Sequence, residues 1–178
     1  MPHPTGQQRH RAGFTIVELT ITVLITGILA AVAAPRYFEA MNRFRVEAAA
    51  KRIAADLNLT RENSNSKGVS GGEWVTFDGT NDNYRLWNDP DIDHPSNEYW
   101  VHLQNTAYPV DLVYAKFTNK NNYTDWFTIK YDMYGCAKSG WPPFFPDAPL
   151  TSGQIVVQSG SQQRTVVISP ITGKASVQ

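Results

Sequence analysis

The chain has a single cysteine, Cys136, among its 178 residues. That excludes an internal disulfide and a thiolate metal cluster. Histidine is nearly as scarce: His3 and His10 fall in the first thirteen residues, which leaves His94 and His102 for everything else. These are too few parts for a nucleophile–base pair or a zinc site, and Cys136, beside Gly135 with no histidine pattern around it, reads as an idle or buried thiol. No glycine-rich phosphate loop is present. Net charge is lacking too, because sixteen lysines and arginines balance sixteen aspartates and glutamates. Nothing in that balance attracts nucleic acid or anionic lipid. The chain reads as non-enzymatic, with no cofactor.

The first thirteen residues lack acid altogether but carry Arg9 and Arg11; without them the remainder has a formal charge of minus two. Next comes a run that lacks charge: FTIVELTITVLITGILAAVAA, Phe14 to Ala34, with Glu18 as its one ionisable side chain. A helix of that length reaches roughly 30 Å, the thickness of a hydrocarbon core. Basic residues upstream keep the N-terminus in the cytoplasm and send the rest outward. A cleaved secretory signal is the competing reading, with AAVAAP as its cleavage site. Against it stand the length of the run, the glutamate, and a helical pattern that continues beyond.

Glu18 is the feature that demands an explanation. A carboxylate at the centre of a span costs ~2.5–3.5 kcal/mol on insertion scales, and less near an end. The span contains no lysine, arginine or histidine to pair with it. A cut between Gly13 and Phe14 would create a cation, the α-amino group of Phe14, on this subunit or a neighbour.

The string GFTIVEL, behind a short basic leader and ahead of about twenty apolar residues, resembles the class III signal of type IV pilins and type II secretion pseudopilins. The resemblance implies that a prepilin peptidase cuts between Gly13 and Phe14 and methylates the Phe14 amine. It also implies that Glu18 serves filament assembly, and that Gly27 and Pro35 loosen and kink the helix. The implied partners are other pilin-like subunits, the peptidase and an inner-membrane assembly platform; the ATPase that drives assembly would be another protein.

Beyond Pro35 the segment to residue 63 keeps a helical period. Val46, Ala49, Ala50, Ile53 and Leu57 form an apolar stripe preceded by Phe38 and Met41, and Arg45, Glu47, Lys51, Arg52 and Asp56 flank it. SNSKGVSGG then breaks the helix. The rest reads as eight short strands, at 73–78, 83–88, 98–103, 111–118, 126–132, 153–159, 164–170 and 173–178, each rich in β-branched or aromatic residues. The five tryptophans all fall here and are expected in the core and at its rim. The fold expected is α+β, one long helix packed on an antiparallel sheet. The organisation is a leader (1–13), a membrane segment (14–34), an amphipathic helix (35–63) and a β-rich head (64–178).

The head adds a second resemblance. FTIKYDMYG, a proline-rich loop and GQIVVQSGSQQRTVVISPITGKASV are similar to the pseudopilin H group, which includes FimT- and FimU-type minor pilins. Gly135, Gly153, Pro170, Thr172 and Gly173 carry it, and Ile171–Gly173 should form a tight turn. Residues 79–125 resemble nothing, which leaves them open as a partner-specific surface.

Other patterns are weaker. Asp89, Asp91 and Asp93 alternate as calcium ligands do, but His94 and Trp100 stand where a calcium-binding loop needs glycine and glutamate. The tail from Arg164 onward has only Arg164 and Lys174 as cations, which disfavours nucleic acid. Asn58–Thr60 and Asn122–Thr124 fit glycosylation sequons. The reading is a minor pseudopilin of a type II secretion filament, anchored in the bacterial inner membrane with its head in the periplasm. A minor pilin of a type IV pilus, or an anchored periplasmic binding domain that never assembles, are the alternatives.

Overall fold

A computed structural model describes residues 13–68, 72–90, 98–141 and 145–178. Two compact units divide the chain, Met1–Phe38 and Glu39–Gln178. One helix, α1, runs from Ile16 to Lys67. It ends four residues past 63, where Gly68 adopts φ +58, the left-handed residue that commonly stops a helix. Pro35 lies inside α1 without ending it, although it has no N–H to give the carbonyl one turn back.

Ten strands follow among the described residues: β1 (Glu73–Asp78), β2 (Asn83–Pro90), β3 (Glu98–His102), β4 (Asp111–Asn119), β5 (Thr124–Asp125), β6 (Thr128–Tyr131), β7 (Ala137–Trp141), β8 (Phe145–Ser159), β9 (Gln162–Ile168) and β10 (Ala175–Val177). All pairings are antiparallel, in the order β10-β9-β8-β7-β6-β1-β2-β3, with β4 on β8 and β5 on β4. The α+β architecture expected from the sequence is the one observed. β8 joins the two parts of the sheet, pairing with β7 from Phe145 to Pro149 and with β4 from Leu150 onward.

The strands differ from the sequence reading at several places, with β5 and β7 added to the eight expected. β7, AKSGW, has no β-branched residue and gave no signal; pairing with β6 and β8 holds it extended. The proline-rich loop is largely strand, because β8 starts at Phe145. The segment 126–132 is also shorter than expected, with β6 confined to Thr128–Tyr131.

Val46, Ala49, Ala50, Ile53 and Leu57 are all buried, so the stripe is the face of α1 that meets the sheet. Burying a side chain such as Ile53 or Leu57 is worth about 1.5–3 kcal/mol. Phe38, expected to lead the stripe, stays 64% exposed. Across the core, Phe77 stacks on Tyr84 at 5.6 Å and tilts against Phe117 at 5.8 Å, tying β1 and β2 to β4. These rings occupy the interior that the tryptophans were expected to share. Trp74, Trp100 and Trp126 are 36%, 44% and 49% exposed instead.

Asp56 is a further correction, since it lies buried and does not flank the stripe in solvent. The Tyr84 hydroxyl donates to Asp56 Oδ2, and Arg52 Nε stands 3.9 Å from the same oxygen. Burial raises the Asp56 pKa, while Tyr84 and Arg52 pull it back. Asn58 is equally committed: its Nδ2 donates to Ala175 O at 3.1 Å and its Oδ1 accepts from Ala175 N at 3.0 Å. The sequon at Asn58 is therefore part of the fold, with Thr60 fully buried and bonded to Asp56 O.

Arg61 lies over the last turn. Its Nη1 donates to Thr172 O at 3.1 Å. Gly173, at φ +67, closes that turn through its N–H to Ser169 O at 2.8 Å; a Cβ there would sit 2.3 Å from Gly135 O. Two of the glycines singled out in the sequence are therefore neighbours in space.

Candidate functional site

The start of α1 follows from four residues. Gly13, Phe14 and Thr15 precede the helix and are exposed, Phe14 at 79%. The Gly13–Phe14 bond thus lies in non-helical, accessible backbone, the form a peptidase accepts. Thr15 caps the helix: its Oγ1 accepts the N–H of Glu18 at 3.2 Å, and its carbonyl accepts the N–H of Leu19 at 3.1 Å. Glu18 stands at the third helical position, so Thr15-x-x-Glu18 has the spacing of a capping box. The pattern is plain in the sequence, although Thr15 is no charge partner for the acid.

This placement answers part of the question posed by the carboxylate. Unpaired N–H groups give the first turn a partial positive charge that favours an acid there by a few tenths to about 1 kcal/mol. No ion pair to Glu18 is formed among the described residues.

Along the next turns, hydroxyls that would be costly in lipid are satisfied within the helix. Thr20 bonds Val17 O at 2.8 Å, Thr22 bonds Glu18 O at 2.7 Å, and Thr26 bonds Thr22 O at 2.8 Å. Gly27 is exposed, with no atom from beyond its own helical turns within 4 Å of where a Cβ would sit. The helix is long and apolar enough here to cross a membrane, and none of that stretch is buried in the protein.

Residues 8–34 match the family model described as the prokaryotic N-terminal methylation motif. The match is confined to this N-terminal segment and is to a prepilin-type methylation motif. This supports a type IV pilin-like or pseudopilin protein, of a family of generally non-enzymatic structural subunits that assemble with one another after cleavage by a prepilin peptidase. The apolar helix is compatible with the single-pass anchor typical of prepilins. No curated protein and no solved structure matches the chain.

The other candidate residues fall elsewhere. Asp91 and Asp93 lie outside the described residues, as does the side chain of Asp89, which belongs to β2. Arg164, one of the two tail cations, is engaged with Glu47 of α1 at 2.9 Å.

Proposed function

We propose that this chain is a minor pseudopilin of a type II secretion filament, cut between Gly13 and Phe14, methylated at Phe14, and assembled through Glu18. The observation that carries the reading is the start of α1. One carboxylate, held in the first turn by Thr15, stands within an otherwise uncharged and exposed apolar helix, just after an accessible Gly–Phe bond. A neighbour's freed amine would neutralise that charge and fix the register between helices, since a paired charge is tolerated in apolar surroundings where a lone one is not. The N-terminus stays cytoplasmic and the head is exported across the inner membrane. Gly27 and Pro35 leave α1 room to adjust in the filament.

The secretion assignment rests on the H-like pattern of the head. Supporting it, the turns at Gly135 and Gly173 abut and are bridged by Arg61. As a minor subunit it would stand at the filament tip and help to initiate it. The test is a deletion strain whose exported proteins and surface filaments are both measured. Loss of exported proteins with filaments intact is the expected result. Loss of filaments with unchanged export would assign the chain to a type IV pilus.

A further inference from the structure

The two ends of the sheet are finished differently. At one end, Thr165 and Gln178 exchange backbone hydrogen bonds and Ser169 N donates to Lys174 O. Ladder alternation then turns the N–H and C=O of Ala175 away from β9. Both outward groups are taken by the side-chain amide of Asn58. α1 thus covers that edge at Ala175.

At the other end, Leu103 N donates to Asp82 O at 2.8 Å. The same alternation makes Val101–Tyr84 and Tyr99–Leu86 the hydrogen-bonded pairs, and Trp100–Arg85 and His102–Asn83 the open ones. The N–H and C=O of Trp100 and the N–H of His102 therefore point away from β2. Among the described residues β3 pairs with β2 alone, and none of them bonds these three groups. β3, EYWVH, also lacks the lysine or proline with which proteins commonly blunt an edge.

Beside this edge runs a rigid aromatic shelf. The Arg85 guanidinium lies 3.5 Å from the centre of the Trp87 ring and 5.2 Å from that of Trp100. Glu98 pairs with Arg85 and accepts from Trp100 Nε1 at 3.1 Å. Trp87 Nε1 donates to Thr76 at 2.9 Å, and Trp100 stacks on His102. Indole faces covered by cations, and cations already paired with carboxylates, leave little for a sugar or a nucleic acid strand to use. Half-exposed tryptophans fixed in place instead resemble the low-entropy anchors of protein interfaces.

We propose that the open edge of β3 docks an extended polypeptide segment of another protein, which adds as a further strand. Alternating donors and acceptors along an edge are complementary to another backbone. One row of the incoming side chains would lie on the shelf of Trp100 and His102, and the favoured residues there are aromatic or β-branched.

The test uses full-length protein in cells, with the photo-crosslinker p-benzoylphenylalanine placed at Trp100 or, separately, at His102. Both positions are expected to capture one segment of another protein, with the captured residue moving by two along that segment, the period of a strand. The adduct at position 102 is expected to vanish in Trp100→Pro, which removes an outward N–H without touching the β2–β3 ladder, and to weaken without vanishing in Trp100→Ala, which loses the ring and keeps the N–H. The proposal is overturned by no adduct, by adducts only between copies of this chain or to nucleic acid or glycan, by captured residues without that two-residue shift, or by equal loss in both variants.

Discussion

The Tyr84 hydroxyl of β2 donates to the Asp56 carboxylate of α1 inside the head. Burial, with Asp56 beside it, raises the tyrosine pKa well above 10.0, so the hydroxyl remains a donor at any ordinary pH. Asp56 itself has a pKa raised above 3.8, chiefly by burial. A raised acid pKa means that the folded state binds more protons than the unfolded one, so the Asp56 contribution is fully present below the ordinary value and is lost as pH rises through the folded one. Asp56→Asn, which keeps an acceptor and drops the charge, is expected to remove that fall and to be as stable as the parent or more so at neutral pH. Asp56→Ala, which strands the tyrosine hydroxyl, is expected to cost about 1–3 kcal/mol. Denaturant unfolding of the two variants and the parent across pH 4–8 makes the comparison.

Asn58 and Ala175 form the second lock between helix and sheet, with two hydrogen bonds of 3.1 and 3.0 Å. Asn58→Ala is expected to lose about 1–3 kcal/mol and to free β10. Hydrogen exchange at the Ala175 amide should accelerate well before that of Ile155 in the core. Unchanged protection at Ala175 would show that the Asn58 side chain is not its acceptor.

Gly173 and Gly68 both have positive φ, +67 and +58, but only Gly173 has backbone against its Cβ position. Gly173→Ala is therefore expected to destabilise the head by more than Gly68→Ala, whose cost is conformational alone, roughly 1 kcal/mol. Equal losses, measured by the same unfolding assay, would contradict the contact with Gly135.

At the other end of the chain, Thr15→Val removes the cap and keeps the shape. It is expected to cost the first turn of α1 about 1 kcal/mol, read as faster amide exchange at Glu18 and Leu19 in micelles. Thr15→Ser should restore protection. Exchange that does not change would mean that the side chain is not the cap.

Glu18→Ala should leave membrane insertion intact, since it removes a charge that insertion disfavours. Its incorporation into filaments should fall sharply, and Glu18→Gln, which keeps size but not charge, should fall with it. Normal incorporation of both would remove Glu18 from the assembly mechanism.

How much of this was legible depended on whether the signal was local. The stripe from Val46 to Leu57 has a helical period and is buried as that period requires. The Ile171–Gly173 turn follows from a glycine between two β-branched runs. β7 was not legible, because AKSGW is strand only by virtue of its neighbours. Asp56 looked like an exposed flank because its partner, Tyr84, is brought to it only by the fold. The tryptophans were expected in core and rim, and Trp74, Trp87 and Trp100 lie at the rim, where Lys130 and Arg85 give them an outer face to cover. At the N-terminal end, Gly13, Phe14 and Glu18 could be singled out because the motif that carries their proposed roles lies within six residues.

The most direct test of that chemistry is the intact mass of the chain purified from the membranes of cells that carry the peptidase. The account predicts a polypeptide that begins at Phe14 and bears one added methyl group on its amine. A chain that still begins at Met1, or one cut after the apolar run near Ala34 and released from the membrane, would contradict it.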